Sequence, residues 1–406
     1  MKKFFLIPIL QLFCSALYSV SNLECHIDEL KRQMQNLQFV TPNETCELDS
    51  CADFNFYVEV STLYWHPKVS GTEFTSGFLT TNDYISDEDL RGRKSQGRGC
   101  PQFVDLYWDW GFTIGIGCNL PCKEWDISLN YTDFDTKGHE TVCTKKANEY
   151  ITNYKTFAFN SYLRGLTPST DKVNLTFQEW LSKKVNSKFC INLQALKFDL
   201  GKSFCVCECI TLCPKIGFEV SWITLKQNTR YIYVQPFVLI MSLIKKDDRL
   251  AGVFFDYSIK DCSKFSGVGP HFGFESQWHF FDNIYLYGNI SGALVYGLFT
   301  TSHKEKMFID LPVEIPPEIE YLLLYNNCIC QRRHAFVPLV NTQIGIAYNT
   351  SFYCDQMQLT LKLAFDAQYI WRINQILETR NITTNYVRIS EDMSIHGVTF
   401  DIRFDF

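Results

Sequence analysis

Cysteine is the side chain with the widest chemical options in this chain, and it occurs 17 times in 406 residues. Four cysteines crowd one short segment, at Cys205, Cys207, Cys209 and Cys213. Zinc binds four thiolates, but structural zinc sites use two cysteine pairs that lie well apart in the sequence. The even separations place all four side chains on one face of a strand, where they do not surround a metal ion. The oxidising compartment expected for an exported chain favours disulfides over free thiols, and metal binding is the least favoured alternative.

Two further close pairs, Cys118/Cys122 and Cys328/Cys330, complete the set of disulfide candidates. Removal of a signal segment that contains Cys14 leaves sixteen cysteines. An even number of cysteines in an exported chain is typical of disulfide bonding. Bonds between separate molecules are included in this prediction.

The sequence contains no constellation typical of an enzyme. It lacks a G-x-S-x-G nucleophile elbow, a phosphate-binding glycine loop and an H-E-x-x-H zinc motif. His139-Glu140 begins the last of these, but no second histidine follows at the required spacing. The net charge of −6 argues against nucleic acid as a partner. We therefore predict no enzymatic activity, no cofactor and no metal site.

A third set consists of ionisable residues in segments whose pattern predicts β-strands. Each lies in a segment of alternating polar and apolar residues, on the polar side of the alternation. In a membrane barrel such side chains line the interior, and rings of mixed charge set the selectivity of a pore. The pore-lining candidates are Glu59, Asp105, Asp109, Lys215, Glu219, His271, Glu275, Lys362, Asp366, Asp401 and Arg403.

The last ten residues show which element positions such side chains. Large apolar groups fall on one face of a strand and charged or small groups on the other, because strand side chains alternate with period two. The segment ends on an aromatic, as expected for the closing strand of an outer-membrane barrel. The proposed assembly signal, read by the barrel-assembly machinery, consists of Phe400, Ile402, Phe404 and Phe406.

Residues 105–117 alternate most strictly and are long enough to cross a membrane as a strand. Their apolar face predicts lipid contact for Trp108, Trp110 and Phe112. The apolar face of the closing strand predicts the same for Phe400 and Phe404. Tryptophan is enriched where a membrane meets water. The interface candidates are Trp65, Trp125, Trp222, Trp278 and Trp371.

The N-terminal part differs from the rest. Residues 1–21 read as a signal peptide, with two lysines ahead of a short apolar core. Residues 22–52 are a helical segment and linker: residues 23–37 carry a heptad pattern, which predicts either a periplasmic or oligomerising coiled-coil segment or a single helix that packs against the barrel or plugs it. After residue 21 no apolar run reaches the length of a membrane-spanning helix.

The predicted fold is all-β: a transmembrane antiparallel β-barrel of about 12–16 strands, preceded by the short coiled-coil-like helix. The barrel is expected to occupy residues 53–406. Long loops are expected at about 66–101, 136–188 and 301–335.

Several segments, in order, resemble the pore-forming major outer membrane protein-like family of Legionella and chlamydia-related bacteria. They are Phe56–Val58, Leu63–Trp65, Trp108–Phe112, Gly117–Pro121, Trp125–Tyr131, Leu193–Lys202, Leu212–Gly217, Trp222–Ile223, Gly267–Pro270 with Gly273 and Trp278, Leu286–Gly292, Trp371–Gln375 and His396–Phe406. The cysteine content and the long insertions depart from the family pattern.

The resemblance implies a porin-like protein of the bacterial outer membrane. It would form a water-filled channel for passive diffusion of small hydrophilic solutes and ions. Outer-membrane lipids, the assembly machinery and the solutes are the expected partners. The alternative is a disulfide-crosslinked structural or adhesive protein of the cell envelope, as a homo-oligomer or bound to other envelope proteins.

Overall fold

A computed structural model describes residues 55–80, 97–98, 101–120, 125–144, 149–153, 181–207, 209–234, 255–281, 283–309, 326–352, 357–379 and 386–406. The chain divides into two units, Met1–Cys51 and Ala52–Phe406, and all described residues belong to the second. The predicted signal peptide and N-terminal helix lie outside the described residues. No helix in the described part of the chain is long and apolar enough to span a membrane.

The described chain consists almost entirely of strands. In chain order they are β1 Asn55–Val69, β2 Glu73–Thr80, β3 Gly97–Arg98, β4 Gln102–Phe103, β5 Asp109–Leu120, β6 Trp125–Cys143, β7 Glu149–Asn153, β8 Leu181–Ser182, β9 Lys184–Lys202, β10 Phe204–Cys207, β11 Ile210–Val234, β12 Phe255–Phe281, β13 Ile284–Ile309, β14 Asn326–Phe352, β15 Met357–Thr379 and β16 Tyr386–Asp405.

Ten of these strands form a closed ring of antiparallel pairs, in the order β1, β5, β6, β9, β11, β12, β13, β14, β15 and β16. The ring closes because β16 pairs with β1, with Tyr57 opposite Asp405 and Trp65 opposite Gly397. A closed ring leaves no backbone edge exposed to lipid, which is the condition for a sheet to span a membrane. The expected all-β antiparallel architecture is confirmed.

The expected strand number was wrong: the described residues form a ten-stranded barrel and not one of 12–16 strands. The sequence shows two candidate strands at 212–225 and 231–244, where the structure has the single strand β11 of 25 residues. Likewise β12, with 27 residues, replaces candidates at 252–260 and 267–278. These strands exceed the roughly 9–11 residues that cross a bilayer.

The same extension shortens the expected loops. Strand β6 continues to Cys143 and β9 begins at Lys184, both inside the predicted loop 136–188. The predicted loop 301–335 contains the end of β13 and the beginning of β14. The loop predicted from residue 66 contains the end of β1 and all of β2.

Connections differ in length between the two ends of the barrel. Residues 121–124, 282–283 and 353–356 make short links at the end where β1 begins and β16 ends, which we call the terminal end. Residues 235–254 and 310–325 make longer links at the opposite, loop end. Outer-membrane barrels have short periplasmic turns and longer extracellular loops, so we expect the terminal end to face the periplasm.

A second, smaller sheet is built from the segments that follow β1 and β6. It contains β2, β3, β4, β7 and β8, all paired antiparallel. The chain leaves β1 through a turn in which Gly71 has φ +81°, a conformation that favours glycine. A β-carbon at this position would lie 2.8 Å from the Ile376 side chain.

Candidate functional site: the barrel interior

The outer face of the barrel carries a continuous band of exposed apolar side chains, which we call the apolar belt. Trp110 is 69% exposed and Phe404 47%. An exposed apolar surface of this extent is typical of membrane contact. The belt includes Phe56, Val60, Tyr64, Trp110, Phe112, Ile114, Ile116, Leu129, Phe198, Ile216, Phe218, Trp222, Val268, Phe272, Phe274, Ile290, Leu294, Tyr296, Phe336, Ile344, Ile346, Leu363, Phe365, Val398, Phe400 and Phe404.

The polarity of both faces reverses partway along the strands, and β11 shows this most plainly. From 215 to 222 the outward residues are apolar, ending at Trp222, and the inward residues are polar, including Glu219. From 223 to 230 the inward residues begin with buried Ile223, and the outward residues include exposed Lys226 and Arg230. The interior therefore has a polar section at the level of the belt and an apolar section towards the loop end.

Most predicted pore-lining residues face the interior within the polar section. They lie on five strands, β1, β11, β12, β15 and β16, and include both signs of charge, although most are packed against partners and only partly accessible to solvent. These residues are Glu59, Lys215, Glu219, His271, Glu275, Lys362, Asp366, Asp401 and Arg403.

One close ion pair in the polar section joins adjacent strands. Lys215 Nζ on β11 lies 2.8 Å from Glu275 Oε2 on β12. Gln277 Nε2 donates to the other carboxylate oxygen at 3.0 Å. Because hydrogen bonds reach both oxygens of Glu275, its burial is offset by charge-assisted bonds of the stronger kind.

An arginine stacks on a tyrosine at the terminal end. The Arg403 guanidinium lies 3.6 Å from the Tyr57 ring centroid and donates to Asp405 at 2.7 Å. The Tyr57 hydroxyl donates to Asp126 Oδ1 at 2.8 Å. Gly117 makes room for this ring, since a β-carbon there would lie 2.3 Å from Tyr57 Cζ. A planar guanidinium on an aromatic face is a favourable cation–π geometry.

The remaining charges of the polar section also have partners. His271 Nδ1 lies 2.5 Å from Asp199 Oδ1, and both side chains are buried. Lys362 Nζ lies 3.7 Å from Glu59 Oε1. Glu219, which is 1% exposed, accepts a hydrogen bond from Ser221 at 2.8 Å.

The apolar section fills the interior beyond these charges. Its side chains form one buried cluster contributed by strands all around the ring. The cluster includes Leu63, Trp65, Phe134, Phe189, Ile191, Leu193, Ile223, Leu225, Phe265, Val295, Phe299, Val337, Leu339, Ile370 and Ile395, together with Phe74 of β2 and Ile151 of β7. Close packing of this kind leaves little space for water.

Trp65 belongs to this cluster, so its predicted place at the membrane interface was wrong. The side chain is 9% exposed, packs against Phe134 at 5.5 Å between ring centroids, and its Nε1 donates to Thr399 Oγ1 at 3.4 Å. Residue 65 has the same parity as Glu59 and Ser61, and strand alternation therefore turns it inward. Trp222 faces outward and is 40% exposed.

The smaller sheet is held against the barrel wall by side chains of β11. Gln227 Nε2 donates to the Thr72 carbonyl at 3.1 Å, and the Tyr231 hydroxyl donates to the Phe74 carbonyl at 2.9 Å. Phe74 itself is fully buried. Strand β2 thus adds apolar contacts to the interior and is fixed to the wall by hydrogen bonds.

A buried charged triad lies nearer the loop end and was not predicted. His303 Nδ1 lies 2.5 Å from Asp261 Oδ1, and His303 Nε2 lies 2.7 Å from Glu305 Oε1. Asp261 is seven residues beyond Val268 of the belt, about 23 Å along the strand and outside the membrane. Burial lowers the pKa of His303, but hydrogen bonds to the two carboxylates outweigh burial and raise the pKa to about 9. Parity marks His303 as inward, but its partners depend on strand register.

Two predicted pore-lining residues lie elsewhere. Asp105 is exposed and precedes β5, which begins only at Asp109, so its predicted place in the interior was wrong. The chain around Leu106 instead bridges to Gly138 of β6. Asp109 lies on the inward side of β5, opposite Trp65, beyond the level of the polar section.

The clustered cysteines do not share one strand, contrary to the sequence prediction. Cys205 and Cys207 lie on β10, and Cys213 lies on the next strand, β11, because the chain turns between them. The cysteines with a described environment are free thiols: Cys118, Cys143, Cys190, Cys205, Cys209, Cys213, Cys262, Cys328 and Cys330. Cys122 lies outside the described residues, and disulfide bonding stays a prediction. Within the described chain no three His, Cys, Asp or Glu side chains are grouped to hold a metal ion.

An antiparallel barrel with an apolar belt outside and ionisable residues inside defines the class of outer-membrane β-barrel proteins. The chain belongs to the family described as the Legionella pneumophila major outer membrane protein precursor, which it matches over residues 49–406. The resemblance noted in the sequence and the outer-membrane location are thereby confirmed. A comparison with curated protein sequences finds no match.

Three solved structures show a partial likeness to this chain. The outer membrane protease OmpT of Escherichia coli aligns with a TM-score of 0.39 and 9% identity, over 88% of this chain and 99% of that one. A FadL homologue of Pseudomonas aeruginosa aligns with a TM-score of 0.31 and 9% identity, over 87% and 90%. The toluene transporter TodX of Pseudomonas putida aligns with a TM-score of 0.21 and 7% identity, over 87% and 89%.

Proposed function

We propose that the protein is a gated, porin-like channel for passive diffusion of small hydrophilic solutes and ions. The observation that carries this proposal is the polar section, in which Lys215, Glu275, Lys362 and Arg403 lie inside the barrel at the level of the apolar belt. Burying charged groups is costly unless each is paired. The same chain fills its loop-end interior with apolar side chains, so packing alone does not require charges at the belt. A path for hydrated solutes accounts for charges at this level.

In this conformation the channel is closed. The apolar section spans the interior above the polar section, and its members Phe74, Phe134 and Val295 have no exposed surface. Apolar constrictions close a pore by excluding water. Opening therefore requires movement of side chains in the apolar section. Within this section, the residues of the smaller sheet do not belong to the barrel wall, and Gln227 and Tyr231 fix that sheet to the wall.

Single-channel recording in a planar bilayer tests the proposal. We expect the refolded protein to stay closed for most of a recording, with brief openings. Tyr231→Phe removes the hydroxyl that fixes Phe74 of β2, so the open fraction should rise while the conductance of each opening stays unchanged.

Tyr369→Phe is the matched control. It removes a tyrosine hydroxyl that donates to Asp392 at 2.7 Å on the exposed side of the barrel, and it should leave gating unaltered. Absence of current steps at every voltage in all three proteins contradicts a channel. Equal gating in Tyr231→Phe and wild type contradicts the role of β2.

A second candidate function is that of a disulfide-crosslinked structural protein of the envelope. It is favoured by exposed free thiols at both ends of the barrel: Cys205 and Cys209 near the terminal end, and Cys143, Cys328 and Cys330 near the loop end. Exposed thiols oxidise more readily than buried ones. Thiols at both ends allow one molecule to link to several neighbours.

A gel run without reductant measures this crosslinking. Membranes prepared with a thiol-blocking reagent should give a ladder that collapses when reductant is added. The double variant Cys205→Ser/Cys209→Ser should shorten the ladder, whereas Cys213→Ser, which changes a buried thiol, should not. A single monomer band with and without reductant contradicts the structural function.

A further inference from the structure

A cluster of basic side chains covers the outer face of the barrel just beyond the apolar belt. It lies on β9 and on β11 to β14, on the outward side of each strand, and all its members are exposed. We call it the basic patch. It consists of Lys188, Lys226, Lys260, Lys264, Lys304 and Arg332.

Strand register brings these charges close together. Lys260 on β12 is the direct partner of Lys304 on β13. Lys226 is the partner of Cys262, which places it diagonally from both Lys260 and Lys264, at about 7–8 Å. Like charges directly opposite on neighbouring strands are destabilising. Their convergence is therefore a cost that a bound anion removes.

The chain itself supplies little compensating charge. Among the described outward residues of β9 and β11 to β14 beyond the belt, Asp256 is the single carboxylate. It lies 2.5 Å from Arg230 and so is already paired with another cation. Within the described part of the chain, the six members of the basic patch form no ion pair.

The three members nearest the belt, Lys226, Lys264 and Arg332, lie at the depth of lipid headgroups. Lys188, Lys260 and Lys304 lie eight to ten residues beyond the belt and face water beyond the headgroups. Lys264 is four residues beyond Val268, and Arg332 is four residues beyond Phe336, the last exposed apolar residues of their strands. That spacing is about 13 Å along a strand. Lipid headgroups extend several ångströms beyond the hydrocarbon, and long basic side chains reach back towards them.

We propose that Lys226, Lys264 and Arg332, the members of the basic patch nearest the belt, bind the phosphate groups of anionic lipid headgroups in the leaflet at the loop end. The lysines contact phosphates as point charges, and Arg332 offers a planar fork for two phosphate oxygens. The apolar belt below holds the acyl chains of the same lipid. The site is thus formed by two surfaces that meet along one line of the barrel wall, and it goes beyond transport through the interior.

Fluorescence anisotropy in neutral detergent micelles tests the proposal. The probe is labelled phosphatidic acid, and labelled diacylglycerol with the same chains is the phosphate-free control. We expect wild type to bind phosphatidic acid and to bind diacylglycerol more weakly. Lys226→Gln/Lys264→Gln should weaken phosphatidic acid binding by roughly fivefold for each charge removed.

Two further variants separate charge from folding. Lys226→Arg/Lys264→Arg should retain binding, because the charges remain. Lys68→Gln/Lys202→Gln removes two exposed or partly exposed lysines outside the patch and should change binding less than twofold. Equal weakening in the two glutamine variants overturns the site.

Competition distinguishes a lipid from free phosphate. Inorganic phosphate at the concentration of the lipid should leave the labelled lipid bound, because it cannot use the belt. Complete displacement by inorganic phosphate at that concentration overturns the lipid and points to a site for a soluble anion.

Discussion

Individual charged side chains inside the barrel are arranged in pairs, and one of them has a looser environment than the rest. Lys362 lies 3.7 Å from Glu59, a longer separation than the 2.8 Å between Lys215 and Glu275. Its ammonium group is also 5.5 Å from the Tyr287 ring. Lys362 therefore provides positive charge that is less fully neutralised by its neighbour, and passing ions would sense it.

Replacing Lys362 by glutamine should make the channel more selective for cations. Loss of the ammonium leaves Glu59 facing the interior without this counter-charge, and fixed charge in a narrow pore sets selectivity. The measurement is the reversal potential in a potassium chloride gradient, which should move towards the potassium equilibrium potential. The control variant Lys202→Gln changes a residue outside the interior and should leave the reversal potential unchanged. An unchanged reversal potential in Lys362→Gln would show that this lysine does not face the ion path.

Side-chain direction was predictable from sequence, but side-chain partners were not. Alternation placed Glu59, Glu219 and Arg403 on the inward face, as the structure has them. The contact of His271 with Asp199 joins residues on β12 and β9, which are not neighbours in the ring. Such a contact depends on barrel closure and register, which one alternating segment does not encode.

Along a single strand, the face that carries the apolar side chains changes with the surrounding solvent. Facing the hydrocarbon, β11 turns Phe218 and Trp222 outward; past the hydrocarbon it turns Ile223 and Leu225 inward. The hydrophobic effect acts on the second pair as in a soluble protein, because the outer face there no longer contacts the hydrocarbon. The sequence prediction assumed one orientation of apolar residues throughout and therefore read the extensions of β6, β9, β13 and β14 as loops.

Two neighbouring substitutions test this reversal. Ile223→Asn places an amide in the apolar section and should lower the free energy of unfolding by about 3 kcal/mol or more. Thr224→Asn changes the outward neighbour and should alter it by less than about 0.5 kcal/mol. Urea unfolding of the protein in lipid vesicles, followed by heat-dependent gel mobility, measures both. Similar losses in the two variants would contradict an apolar interior at this level.

For the whole molecule, the number of strands determines what kind of interior is available. Barrel diameter grows with strand number: about eight strands leave space for side chains only, and 16–18 leave an aqueous channel. Ten strands lie near the lower figure, which explains why charged residues expected to face open water are packed against partners. The predicted 12–16 strands implied a wider lumen. Sequence alone did not give the width of the barrel, because β11 and β12 each look like two short strands.

The pairing of β1 with β16 also determines when the protein can enter a membrane. Tyr57 and Asp405 are direct partners although almost the whole barrel sequence separates them. A chain that stops before β16 has the unpaired edges of β1 and β15, and lipid offers no hydrogen bonds to such edges. We therefore expect the barrel to insert only after synthesis has reached β16. An incomplete copy stays outside the bilayer, where proteases can remove it.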